Sequence, residues 1–230
     1  SYNHNGKEHF CGDSIHADLC TYSFHPVKHI TTGEGGAVLT NDPNLYQKLF
    51  LLRKHGIDRR KDMFNEKLRI GPWIYDMEIL GYNYRLTDFQ AALGMNQLKK
   101  IDIIKTRRRE IVNYYNEHFS NIDELILPYE NEIVNSNFHI YTLQVKENPR
   151  FDRYDLFTYL ENKNYAPMVH YIPVHLLSYY KQHYGHKRGD FPIAENYYDR
   201  TISIPLYPSL TNDEVKNVVK NITSFVESKY

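Results

Sequence analysis

Lys28 is the residue in this chain best placed to do covalent chemistry. It lies in the run Ser23-Phe24-His25-Pro26-Val27-Lys28-His29-Ile30-Thr31-Thr32-Gly33-Glu34-Gly35-Gly36-Ala37-Val38. An amine is a nucleophile only in its uncharged form, so a lysine that forms a Schiff base needs a shaped, partly desolvated pocket. Pro26 fixes one backbone dihedral just before Lys28, and the glycines after it permit close backbone approach. Ser23 places a hydroxyl within the same short loop. The alternative is that Lys28 is one of the many solvated lysines found near turns, as most lysines are.

Two further blocks carry polar groups that could face a ligand. The first is Gly81-Tyr82-Asn83-Tyr84-Arg85 and the residues after it, where Asn83 reads either as a ligand-facing amide or as a turn residue tolerating an unusual dihedral. The second is Met168-Val169-His170-Tyr171-Ile172-Pro173-Val174-His175. A metal site built on His170 and His175 is disfavoured, because a five-residue spacing in a proline-broken segment puts them on no common helical face. No C-x-x-C pair supports one either, so no metal ligand is assigned.

Taken together, the lysine run resembles the Schiff-base loop of the DegT/StrS family of sugar-nucleotide aminotransferases. The Gly81–Leu98 block is similar to that family's Gly-x-Asn-x-Arg stretch and following helix, and 170–175 to its His-Tyr-x-Pro-x-His motif. The stretches Phe191-Pro192-Ile193-Ala194-Glu195 and Ile204-Pro205-Leu206-Tyr207-Pro208 extend the likeness over nearly the whole chain. The resemblance implies an α/β protein of the aspartate-aminotransferase-like, fold-type I class of pyridoxal-phosphate-dependent transferases: a partial large domain plus a small C-terminal α+β domain. It implies pyridoxal 5'-phosphate as cofactor, with Lys28 as catalytic residue and covalent anchor, Ser23 on the cofactor phosphate, and Asn83 reaching the phosphate of a second subunit across a homodimer interface. His170 and Tyr171 would face a nucleotide-linked sugar, and Arg85 or the Arg59 cluster would supply a cation to its diphosphate. The wording of the motifs is closest to members that aminate the C4 keto group of a UDP-linked 4-keto-6-deoxy amino sugar, in pseudaminic acid synthesis, with an amino donor such as glutamate.

One departure is large. A family member would carry, ahead of this point, a phosphate loop, an aromatic residue stacking on the cofactor ring and an aspartate on its pyridine nitrogen. That carboxylate keeps the ring protonated and makes the cofactor an electron sink. Asp13 and Asp18 lie too close to Lys28 to match it. The expectation is therefore a C-terminal portion of a longer polypeptide, and a non-catalytic fragment or interaction protein of the same fold is the alternative. A sugar dehydratase of this fold is disfavoured, because the relative to look for carries histidine in place of this lysine.

Composition narrows the class further. The 28 basic and 28 acidic side chains balance, which leaves no electrostatic footprint for nucleic acid. The basic runs Arg53-Lys54, Arg59-Arg60-Lys61 and Arg107-Arg108-Arg109 read as solvated faces. Cys11 and Cys20 give no disulfide framework, and no apolar stretch or leader pattern suits a membrane, so a cytoplasmic location is expected. With 41% hydrophobic residues in 230, the core material suffices for one large or two small domains.

The elements that must hold these residues follow from pattern. Leu19–Ser23 and Ala37–Thr40 read as strands flanking the lysine loop, followed by a helix from about Pro43, capped by Asn41 or Asp42 and stopped by Gly56. Residues 57–82 read as a long functional loop. Thr87 to about Phe119 forms one long helix or two in tandem that links two domains, with residues 1–119 the large-domain remnant and 120–230 the small domain. Asn137–Val145 and Tyr165–Val169 read as strands, Asp152 caps a helix to about Asn162, and Thr211 with Glu214 forms the capping box of a last helix through Val226.

Overall fold

The computed structural model describes residues 1–58, 73 and 75–230. The expected Arg59-Arg60-Lys61 cation cluster and most of the expected functional loop lie outside the described residues. The chain divides into two compact units, Ser1–Ile101 and Asp102–Tyr230.

The first unit opens with a hairpin, Tyr2–His4 (β1) against Lys7–His9 (β2). Its turn is Asn5-Gly6, both at positive φ (52° and 75°), the dihedrals that a tight two-residue hairpin demands. Cys20–Ser23 (β3) and Gly36–Leu39 (β4), the two expected strands, pair antiparallel, with Ser23 opposite Gly36 at the mouth of the lysine loop. Pro43–Leu52 (α1) follows, with the Asp42 carboxylate accepting from the backbone N–H of Asn44 and Leu45.

The helix ends at Leu52 with Arg53 as its C-cap, and Gly56, further along at φ +70°, donates its N–H back to Leu51 O (2.8 Å); a Cβ on it would lie 1.7 Å from the carbonyl oxygen of Ile79. Only glycine fits there, and the close approach lets 82–84 pair with the end of α1. Tyr82 N–H donates to Leu52 O (2.6 Å), His55 N–H to Tyr82 O (2.8 Å) and Tyr84 N–H to Arg53 O (3.0 Å). Two short strands, Ile57–Asp58 (β5) and Asp76–Met77 (β6), pair beside it. The tandem alternative holds for the next region: Asp88–Leu98 (α2) and Ile101–Phe119 (α3) are separate helices. A full capping box of Thr87 and Gln90 starts α2.

The second unit is a small α+β fold. Leu125–Ile126 (β7), Tyr141–Val145 (β8) and Thr201–Ile204 (β9) form an antiparallel sheet with β8 central. Alternation along β8 buries Tyr141, Leu143 and Val145, as period-2 patterning requires. They meet Ile111, Tyr115 and Phe119 of α3, Leu156 and Leu160 of Arg153–Asn162 (α4), and Val218, Ile222 and Phe225 of Asn212–Glu227 (α7) in one core. Asp152 and Thr211 cap α4 and α7 through capping boxes. Two short helices, Ser178–Tyr184 (α5) and Pro192–Arg200 (α6), lie between. The division between units falls between Ile101 and Asp102, at the first residue of α3, because the apolar stripe of α3 belongs to the core of the second unit.

Two expectations are corrected. Tyr165–Val169 is no strand: Met168 alone bridges to Ser203, since Pro167 supplies no N–H for a continued ladder. The 107–109 run is no solvated face. Arg108 is 4% exposed, and its Nη1 donates to the carbonyls of Phe138, His139 and Leu206 at 3.0–3.3 Å. Burial lowers the pKa of this guanidinium from its usual value. Arg109 clasps the Glu130 carboxylate with two nitrogens (2.5 and 3.0 Å), and Arg107 donates to Leu210 O and Asn212 Oδ1. Their aliphatic stems let three arginines serve three different anchors on one helix.

Replacing Ile222, fully buried in this core, by alanine is expected to cost about 2–5 kcal/mol, read as a lowered urea midpoint. Replacing the exposed Ile193 of α6 in the same way is expected to move the midpoint far less.

Candidate active site

The lysine loop is closed at its base by Phe24. Phe24 N–H donates to Gly35 O (2.8 Å), and Phe24 O accepts from Thr32 N–H (3.0 Å) and Thr31 Oγ1 (3.0 Å). Inside this closure Lys28 N–H donates to His25 O (2.9 Å), forming a turn that leaves the Lys28 side chain half-buried. Ser23, the last residue of β3, is exposed, and its Oγ accepts from His25 N–H at 3.4 Å. Thr32 is buried, and its Oγ1 donates to Glu34 O (2.8 Å).

Helix α2 is fastened to this loop. Gln90 Nε2 donates to the same Glu34 carbonyl (2.8 Å), and a Cβ on Gly94 would lie 2.8 Å from Thr32 Cγ2. The absence of a side chain at Gly94 thus lets α2 meet the lysine loop itself. No residue of α2 is buried, and Phe89 is 91% exposed.

Asn83 and Arg85 line a groove of about 1050 Å³ in the first unit, together with Phe24, Gly35, Arg53 and Tyr84. The backbone of Asn83 is held by its bridge to Lys54, and Tyr82 and Tyr84 stack with centroids 4.9 Å apart. Ser23 and Lys28 are not in the groove wall, which meets only the two ends of their loop. Arg53 was not singled out from sequence; its place beside Arg85 depends on pairing between α1 and 82–84, which no local pattern reveals.

His170 and Tyr171 lie in the second unit. His170 Nδ1 is 2.7 Å from Ser203 Oγ on β9, the two rings meet edge to face at 4.6 Å, and Tyr171 is 72% exposed, open to a ligand. His175, by contrast, is buried and faces a carboxylate: its Nε2 is 2.8 Å from Glu195 Oε1. Glu195, in the first turn of α6, also accepts from the backbone N–H of Gly189 (2.8 and 2.9 Å) and Phe191 (3.2 Å). Burial pushes its carboxyl up, but the Gly189 amide, His175 and the Phe191 amide together hold it below the usual carboxylate value. Sequence offered one hint of this clamp, a glutamate just after a proline at a helix start.

The Asp13 carboxylate lies 3.0 Å from His9 Nδ1 and accepts from the N–H of Ile15 (3.1 Å). Among the described residues no group of three or more His, Cys, Asp or Glu is placed so that it could hold a metal ion. Cys11 and Cys20 are free thiols. No helix among the described residues is long and apolar enough to cross a membrane.

The antiparallel β-pair that frames the lysine loop is joined in sequence to a small α+β unit. Residues 7–223 match the DegT/DnrJ/EryC1/StrS aminotransferase family, and the chain belongs to it; with the sugar aminotransferases it superposes on, this gives its class, part of a fold-type I transferase of the aspartate-aminotransferase kind. The spore coat polysaccharide biosynthesis protein SpsC of Bacillus subtilis is 39% identical over 91% of this chain and 54% of its own length. A UDP-4-amino-4,6-dideoxy-N-acetyl-beta-L-altrosamine transaminase of Campylobacter jejuni is 36% identical over 92% of this chain and 53% of its own. The sugar aminotransferase Spr1654 of Streptococcus pneumoniae, solved in its PMP form, superposes with a TM-score of 0.83 at 28% identity, covering 95% of this chain and 55% of that one. The chain spans about half the length of the curated relatives it matches. The family's cofactor is pyridoxal phosphate, and Spr1654 is also solved in a PLP form.

The Glu195 carboxyl has a sign that can be tested. Its pKa is depressed on folding, so it contributes stability above the ordinary value of 4.5, and that contribution is lost as pH falls below it. Glu195→Gln is expected to flatten part of the acid limb of the urea midpoint against pH, while Glu161→Gln, on the exposed face of α4, leaves that limb unchanged.

Proposed function

We propose that this chain supplies the lysine-bearing part of a pyridoxal-phosphate-dependent aminotransferase acting on the C4 keto group of a UDP-linked 4-keto-6-deoxy sugar, with glutamate as amino donor. The observation that carries this reading is the lysine loop. The half-buried Lys28 stands on a turn whose base is fixed by three hydrogen bonds, with the exposed Ser23 at the strand end before it. The substrate class is supported by the name of the Campylobacter jejuni relative and, more broadly, by that of SpsC.

The residues present fit the anchor and phosphate sides of the cofactor: an amine, a serine hydroxyl and an asparagine amide form a donor set suited to an aldehyde and a phosphate. When bound, the cofactor supplies an electron sink for the carbon that exchanges its amino group. Lys28 Nζ would be the amine that holds it, and when uncharged that amine is suited to take up and return a proton beside the reacting carbon, the work of a general base and acid. The Phe24 closure limits how far Nζ can stray from that task. Ser23 Oγ donates to a phosphate oxygen. Asn83 donates to the phosphate held by a second copy of the protein, in a homodimer. Arg85 offers its planar fork to the diphosphate of the sugar nucleotide. His170 and Tyr171 present an imidazole and a phenol to the sugar.

The test is the visible spectrum of the chain with added pyridoxal phosphate, before and after borohydride reduction, beside that of Lys28→Ala. A yellow, reducible adduct that maps to the Lys28 peptide and vanishes in the variant is expected. Equal adducts in both proteins, or none, would overturn the assignment of Lys28 in this chain.

A further inference from the structure

The two cysteines of the chain share one phenol as a neighbour. Cys11 is exposed, on the turn that Asp13 N–H closes onto Phe10 O (3.1 Å). Cys20 opens β3 and is half-buried. Side chains two apart on a strand leave the same face, so Cys20 and Tyr22 project together. The Tyr22 hydroxyl donates to the Cys11 carbonyl, and a Cβ on Gly12 would run into the same phenol. Burial does most to raise the pKa of that phenol; the Cys20 thiol, within hydrogen-bond reach of it, and the Cys11 thiol add to the shift.

The segment between the cysteines is fastened to the residues just after β4. Thr40 Oγ1 donates to Asp18 O (2.8 Å) and Asn41 Nδ2 to Asp13 O (3.2 Å). Since β3 and β4 are paired, with Cys20 opposite Leu39, these bonds keep the 13–18 stretch beside the start of β3. Gly12 and Ser14, both left-handed (φ 95° and 55°), turn the chain so that Cys11 comes back over the strand. A disulfide needs Cα atoms about 4.4–6.8 Å apart and a clear line between the sulfurs. Tyr22 is 39% exposed, so rotation about its Cα–Cβ bond carries the phenol into solvent and clears that line.

We propose that Cys11 and Cys20 are a redox-sensitive pair that closes to an intramolecular disulfide by exchange with a low-molecular-weight disulfide of the glutathione type. The exposed Cys11, as thiolate, attacks one sulfur of the oxidant, whose S–S bond breaks and releases one thiol. Cys20, as thiolate, then attacks the Cys11 sulfur of the mixed disulfide and expels the second. Two protein thiols are oxidised, one disulfide is reduced to two thiols, and the two protons reach the leaving sulfurs through solvent. Cys20 lies on the same short strand as Ser23. The closed pair therefore fastens the turn after the first hairpin to the strand that enters the lysine loop, and an excess of reduced thiol opens it again.

The experiment uses the reduced full chain, equilibrated with mixtures of reduced and oxidised glutathione, acid-quenched and alkylated. Cleavage before Asp13 and Asp18 separates the two cysteines for mapping. The expected product is a monomer lighter by two hydrogens, with the Cys11 and Cys20 peptides joined. A flexible loop of this length gives an effective thiol concentration on the order of 1 mM. The folded chain is expected to exceed, by about tenfold or more, the value that the same chain shows in unfolding urea, and the oxidised form to have the higher urea midpoint. Cys20→Ser is expected to stop at the mixed disulfide on Cys11. Disulfide-linked dimers, glutathione retained on both cysteines, or an effective concentration no higher than in urea would overturn the proposal. No step involves pyridoxal phosphate, so failure here and failure of the Lys28 assignment are distinguishable.

Discussion

The constraint on which the first unit depends is the closure at Phe24. One backbone carbonyl accepts from both Thr31 and Thr32, while the amide of the same residue donates to Gly35. A loop carrying a reactive amine has every entropic reason to wander, since each ordered backbone residue costs about 1–2 kcal/mol. Net gains of about 0.5–1.5 kcal/mol per hydrogen bond do not hold such a loop individually. They suffice together because β3 and β4 already bring Ser23 and Gly36 opposite one another, so only the short span between has to be ordered.

Helix α2 shows the other half of that arrangement. It touches the loop through Gln90 and Gly94 but buries none of its own residues. Its apolar side chains, Phe89 above all, remain in solvent, and a solvated phenylalanine offers its burial energy to whatever covers it. The second unit, by contrast, has a closed core and places its polar anchors inside it. Arg108 satisfies three carbonyls, and Glu195 gathers the backbone amides of Gly189 and Phe191 together with His175. Such groups hold the loops that close over the core, and they are costly to leave half-satisfied.

How much was legible in the sequence depended on how local the cause was. The strands beside Lys28, the Asp152 and Thr211 caps and the last helix all rest on residues within a few positions of one another, and they appear as read, while Asp42 is the one of the two candidate caps that starts α1. The Asn5-Gly6 hairpin was equally local but was passed over, although that dipeptide is a strong turn signal. Tyr165–Val169 failed as a strand because apolar content was weighed above Pro167. Arg108 failed as a surface residue because its acceptors lie at positions 138, 139 and 206, which no window around the helix contains.

The sequence by itself determined which groups are available: the Lys28 amine with its serine, proline and glycine neighbours, Asn83 and Arg85 two residues apart, the His170-Tyr171 pair. It also determined the family, because those residue types in that order carry the resemblance. Tertiary structure alone decided which of them meet. It set Asn83 and Arg85 in one groove with Arg53, turned His175 toward Glu195 and brought His16 back over His4 and His9. The physical reason is range: caps, turns and strand patterns are fixed by neighbours along the chain, whereas these contacts exist only once distant backbone segments have paired.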